Sequence, residues 1–160
     1  VFNLSFLAFS EVLSLRSKVS MPKITKINHI AVAVSDIESS LSFWRDALGL
    51  ELAELRDVPA ESAQIAFLPV GGTEVELVRP TTDDSGLAKY IEKCGEGMHH
   101  LCLETDDIEA MMVQLKEKGI ELINESPRTG ADGKKYAFIH PKSTGGVLVE
   151  LYQLSVFSDQ

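Results

Sequence analysis

Cysteine is scarce in this 160-residue chain: Cys94 and Cys102 alone cannot build a disulfide framework. Two thiols suit a reducing compartment, so a cytoplasmic location is the expectation. Basic residues are few as well. Fifteen Lys and Arg against 24 Asp and Glu leave a formal charge of −9, which argues against a nucleic-acid backbone as partner. Long hydrophobic runs are missing too: the apolar stretch at residues 1–9 is too short to span a bilayer, and Arg16 and Lys18 follow it instead of preceding it as in a secretory signal. What is present is an ordinary globular composition, 44% apolar and 24% charged, enough for one domain with a substantial core. Met21-Pro22-Lys23 directly precedes the first patterned segment, so residues 1–20 read as an N-terminal extension and 21–160 as a single domain.

The chain repeats itself. Asn28-His29-Ile30-Ala31-Val32 has its counterpart in His99-His100-Leu101-Cys102-Leu103, and Gly71-Gly72-Thr73-Glu74-Val75-Glu76-Leu77 in Gly145-Gly146-Val147-Leu148-Val149-Glu150-Leu151. The two histidines are 71 residues apart and the two glutamates 74. Between them, Ser35-Asp36-Ile37-Glu38 recurs as Asp106-Asp107-Ile108-Glu109, and Gly49-Leu50-Glu51-Leu52 as Gly119-Ile120-Glu121-Leu122. A period of about 70 residues is longer than a solenoid unit and short for an independent domain, so two modules sharing one sheet is the natural reading. Their bounds are about 24–80 and 97–154.

Each module reads as βαβββ. In the first, 27–34 is a β-branched strand, Ser35-x-x-Glu38 a capping box, and Ile37, Leu41, Trp44 and Leu48 an amphipathic helix stopped by Gly49. Strands at 50–55, 64–69 and 73–79 follow. The second module has a strand at 101–105, a cap at Asp106 with Glu109, a helix carrying Ile108, Met111, Met112 and Leu115, and strands near 120–124, 136–140 and 146–151. The linker, 81–98, has helix-forming content between Gly86 and Gly95.

Strand parity puts His29 on one face with Ala31 and Ala33, His100 with Cys102, Glu76 with Glu74, and Glu150 with Leu148 and Tyr152. Any one of these four polar residues has an ordinary structural explanation. Their recurrence at matched places favours convergence instead: two imidazoles and two carboxylates brought together by a pseudo-twofold axis form a divalent-metal site. His29, Glu76, His100 and Glu150 are the candidate ligands. With open positions remaining, the set suits octahedral Co²⁺ first, then Ni²⁺ or Mn²⁺, with Zn²⁺ a further candidate. His99, of opposite parity, and His140, before Pro141, read as structural, and Cys102, Met111 and Met112 as packing. Arg79, Arg128, Lys134, Lys135 and Lys142 read as a solvated rim able to hold phosphates.

These features resemble the vicinal oxygen chelate superfamily over about residues 24–154. The strings at 28–34, Gly97-Met98-His99-His100-Leu101-Cys102-Leu103-Glu104, and His140-Pro141-Lys142-Ser143 through Leu151 resemble its methylmalonyl-CoA epimerase branch in particular. The resemblance implies an α+β fold of tandem βαβββ modules forming one curved mixed sheet around a metal. It also implies an acyl-CoA substrate, removal of its α-proton through an enolate stabilised by the ion, and a homodimer. Some epimerases of this kind carry a catalytic carboxylate on the strand where this chain has Gln64, and a glutamine ligand where it has Glu76. An amide is no general base near neutral pH. The implied roles are therefore Glu150 for proton transfer at one face, Glu76 at the other while bound to the ion, and a hydrogen bond from Gln64. Glyoxalase I, acting on a glutathione hemithioacetal with the same four ligands, and a non-enzymatic binding protein of the superfamily are the competing readings.

Overall fold

The computed structural model describes residues 21–130 and 133–154; the expected extension at 1–20 lies outside them. Eight strands form one sheet in the order β2-β3-β4-β1-β5-β8-β7-β6. The strands are β1 (Ile24–Ala33), β2 (Glu54–Val58), β3 (Ala63–Val70), β4 (Thr73–Pro80), β5 (Gly97–Thr105), β6 (Arg128–Thr129), β7 (Lys135–Ile139) and β8 (Leu148–Gln153). The duplication is visible in the pairing. β1 runs parallel to β4 and β5 parallel to β8, while β1 and β5 meet antiparallel at the centre. The sheet is the curled, mixed half-barrel of the vicinal oxygen chelate fold, as expected from the tandem pattern.

The three helices are α1 (Ile37–Leu41, continued by a π-helical turn at Ser42–Ala47), α2 (Gly86–Cys94) and α3 (Ile108–Glu117). The caps of α1 and α3 sit one residue later than the sequence pattern suggested. Asp36 and Asp107, both in extended conformation, accept from the amides of Ser39 and Ala110, as N-cap geometry requires. Ile37 and Leu41 pack with Ala66, Leu68 and Leu77 on the outer face of the first half. Ile108, Met111 and Met112 pack with Ala137, Ile139 and Leu151 on the outer face of the second. Helix α2 instead lies over the inner face, its Leu87, Tyr90 and Ile91 against Ala31, Ala33, Ile65 and Val78.

Two expected strands differ. The one near 50–55 forms later, at β2, because Leu50 and Leu52 turn into the α1 core. The one near 120–124 shrinks to a single bridge between Leu122 and Ile139; the Asn124 side chain accepts from the Phe138 amide in place of a strand partner. Among the described residues no helix is long and apolar enough to cross a membrane. Both cysteines are free thiols, Cys94 exposed and Cys102 buried.

Candidate metal centre

Strand register places the site. Across the centre His29 faces Cys102 and Ala31 faces His100, while Ala31 also pairs with Glu76 and Cys102 with Glu150. Two rows result, Glu76–Ala31–His100 and His29–Cys102–Glu150, each holding one imidazole and one carboxylate separated by a small residue. Ala31 and Cys102, both fully buried, form the floor. A larger side chain at either place would fill the space between the donors.

Three donors converge on that floor. His29 Nε2 lies 3.0 Å from His100 Nε2, His100 Nε2 lies 3.0 Å from Glu150 Oε2, and His29 Nε2 lies 3.4 Å from the same oxygen. All three residues are buried, and together they form a compact group able to hold a cation. Donors bound cis at about 2.1 Å to one ion stand about 3 Å apart, which matches this triangle. Two imidazoles and a carboxylate suit a borderline divalent metal, so the residues fit the group that the sequence implied. Glu76 is buried on the same face but stands outside the triangle. Its Oε1 is 3.3 Å from His29 Nδ1, the nitrogen that faces away from the other donors.

The two carboxylates are held in opposite states. Burial pushes Glu150 upward, but hydrogen bonds from His100 and His29 and their positive charge outweigh it and hold the carboxyl at about 2. Glu76 has no such donors. Burial pushes it up to about 7; the charge of His29 lowers it, and those of Glu74 and Glu150 raise it again. Burial lowers His29, yet the bond to Glu150 and the surrounding carboxylates leave it raised.

Gln64 is not brought to the site. It pairs with Arg79, opposite in parity to Glu76, so it belongs to the outer face, where its amide donates to Asp57 Oδ1 at 2.9 Å. An acid that does feel the charges of the site is Glu61, in the 3₁₀ turn Pro59–Glu61 that leads into β3. Ser62, in left-handed conformation (φ 50°), reverses the chain there. Although Glu61 is exposed at the rim, burial of its carboxyl and the charge of Glu150 raise it, while His100 and His29 lower it. The signal in the sequence was a turn, Pro59-Ala60-Glu61-Ser62, ahead of a strand. The 71-residue offset of the histidines relates Glu61 to Asp132, but both acids lie in connections between strands, where strand and helix patterning singles out neither.

His99 is also closer to the site than parity suggested. A β-bulge leaves it unpaired between Val32↔Met98 and Ala31↔His100, and its Nδ1 lies 2.9 Å from His100 Nδ1. Burial, and then the charge of His100, lower it to about 4. His140 is structural, its Nδ1 accepting from the Lys142 amide at the turn Pro141–Ser143. Beside His99 a cleft of about 350 Å³ opens between Tyr90, Met98, Pro141 and Val147.

Comparison with known proteins gives consistent results. The sequence profile of the Glyoxalase/Bleomycin resistance protein/Dioxygenase superfamily matches residues 28–138. The mitochondrial methylmalonyl-CoA epimerase of Mus musculus is 42% identical over 132 residues, 82% of this chain and 74% of that protein. The ethylmalonyl-CoA/methylmalonyl-CoA epimerase of Cereibacter sphaeroides is 38% identical, over 82% of this chain and 99% of its own length. A solved methylmalonyl-CoA epimerase in complex with methylmalonyl-CoA and NH4+ superposes with a TM-score of 0.77 at 31% identity, covering 84% of this chain and 97% of that one. The lactoylglutathione lyase of Arabidopsis thaliana is more distant, at 27% identity over 43% of its length.

Proposed function

The chain belongs to the methylmalonyl-CoA epimerase family of the glyoxalase superfamily, and we propose that the triangle of His29, His100 and Glu150 is where it exchanges the α-proton of methylmalonyl-CoA. The chain is thus an epimerase interconverting the 2R and 2S forms, and its acyl-CoA substrate follows from the family. The observation that carries the assignment of the site is the approach of three buried donors from both halves to within 3.4 Å of one another.

His29, His100 and Glu150 would hold a divalent ion, with Glu76 as the fourth donor from the same buried face. When bound, such an ion supplies positive charge where negative charge develops on the thioester oxygen and carboxylate of the substrate. The residues of the chain do the rest. Glu150, held at about 2, is a poor base and a good ligand. Glu61, raised and at the open rim, is suited to take a proton from the α-carbon and return one. Glu76, pushed up to about 7 before any cation binds, is the candidate for the opposite face of the substrate. The floor of Ala31 and Cys102 leaves room for a planar acyl group between these acids. Tyr90, Met98 and Val147 line the adjoining cleft with apolar surface.

Epimerisation of methylmalonyl-CoA, set against formation of lactoylglutathione, tests the activity: the first is expected and the second is not. Proton exchange measured separately for each epimer in Glu61→Gln and Glu76→Gln tests the two faces. Loss of exchange from one epimer only is the expected result in each, and unchanged turnover in either variant removes that residue from the reaction.

A further inference from the structure

Two of the three register shifts along the β1–β5 seam fall at places that the duplication makes equivalent. On β1, Ile27 pairs with Leu103 and His29 with Cys102, so Asn28 is the extra residue of a bulge. On β5, Ala31 pairs with His100 and Val32 with Met98, so His99 is the extra residue. A bulge re-aims the side chain it displaces. In both cases the displaced residue immediately precedes a site histidine and touches its Nδ1: Asn28 Oδ1 is 3.0 Å from His29 Nδ1, and His99 Nδ1 is 2.9 Å from His100 Nδ1.

We propose that Asn28 and His99 are positioning residues, each holding the Nδ1–H of the histidine that follows and so presenting its unprotonated Nε2 to the floor of the site. The Asn28 amide has one possible orientation. Its Nδ2 lies 3.1 Å from Glu104 Oε2, and a carboxylate can only accept, so the amide oxygen must face His29. Glu104 is itself fixed by Thr25 Oγ1 at 3.3 Å and by Lys26 Nζ at 3.4 Å. The chain Lys26–Glu104–Asn28–His29 therefore runs from the surface to the ligand triangle, each link setting the direction of the next. Glu76 Oε1, 3.3 Å from the same Nδ1, stands on that side too, while Glu150 Oε2, 3.4 Å from Nε2 on the other side, competes for the proton until a cation takes its place. A hydrogen bond at the far nitrogen of a ligating imidazole fixes its tautomer and raises its basicity. The same arrangement recurs in each half on different residue types, an amide in one and an imidazole in the other. The position, set by the bulge, is what the two halves share.

The proposal rests on the metal reading above, and because Glu150 Oε2 occupies the Nε2 side of both rings before a cation enters, the tautomer is read on the loaded chain. Two-bond ¹⁵N–¹H correlation spectra of the ¹⁵N-histidine-labelled chain loaded with Zn²⁺, a diamagnetic ion, report it directly, and four histidines make assignment by single substitution practical. His29 and His100 are expected as Nδ1–H tautomers. Asn28→Leu is expected to shift His29 alone toward the Nε2–H form, Asn28→Asp to restore it, and His99→Leu to shift His100 alone. Glu104→Gln, which removes the carboxylate that orients the amide, gives the same direction of change as Asn28→Leu should that variant fail to fold. On the cation-loaded chain, competition with a chelator should show about 10- to 100-fold weaker binding in Asn28→Leu, recovered in Asn28→Asp. His29 or His100 found as Nε2–H in the wild type, or a His29 tautomer indifferent to both Asn28→Leu and Glu104→Gln, would overturn the proposal. A wild-type chain that takes no cation would overturn the metal reading and the positioning role with it, whereas a loaded chain whose affinity and tautomers are indifferent to the substitutions overturns the positioning role alone.

Discussion

The two halves place matching residues at matching points of one sheet and then treat them differently. Glu150 in the second half receives hydrogen bonds from both imidazoles and is held at about 2, while its counterpart Glu76 lacks them and rises to about 7. The first half also carries an acid in the Pro59–Glu61 turn; its counterpart in sequence at the 71-residue offset, Asp132, lies outside the described residues. Backbone duplication therefore supplies a symmetric frame, and local donors and turns divide the labour within it. An epimerase needs that division: one group to anchor charge, and acids of moderate basicity to move protons.

The largest break in this comparison is removal of the anchor. Glu150→Gln should lose both the cation and at least about 10³-fold in kcat/KM, since several kcal/mol of charge stabilisation depend on it. Metal content alongside steady-state kinetics checks this. Glu61→Gln should lower kcat by about 10² to 10⁴-fold, the range for a proton-transfer group, with metal content unchanged. The carboxyl of Glu76 sharpens the comparison through stability. It stays protonated in the metal-free fold up to about 7 but ionises near 4.5 when unfolded, so the folded chain binds the extra proton between those values. Stability of the metal-free chain should thus fall as pH rises through that window, by about 3 kcal/mol in total. Glu150 works in reverse, its contribution present above 4.5 and lost as pH falls through about 2. Denaturant titrations at several pH values check both signs, and Glu76→Gln should flatten the upper slope. The smallest effect belongs to the floor: Cys102→Ala copies the first half's Ala31 and should leave kcat/KM within about 2-fold, at a cost of about 1 kcal/mol for the vacated volume.

Much of this frame was legible in the sequence because duplication filters chance. His29, His100, Glu76 and Glu150 were marked by recurrence, and strand parity put them on the buried face they occupy. What lay outside the repeat was harder to read. Glu61 sits in a turn between strands, where neither strand nor helix periodicity marks a residue. Gln64 was assigned by analogy of position, but its face follows from its register with Arg79, which only the β3–β4 pairing reveals. His99 escaped for a similar reason, since alternation fails wherever a bulge inserts a residue. Helix caps moved by one residue because adjacent polar residues, Ser35-Asp36 and Asp106-Asp107, both match the pattern, and only the backbone angles select between them.

The most direct test is the number of divalent ions bound per chain, measured by elemental analysis after loading and dialysis, in the wild type and in His29→Ala and Glu150→Ala. One ion per chain, lost when either half is altered, is the predicted result. An ion retained in one of the two variants, or a separate ion in each half, would contradict the claim that the halves share a single centre.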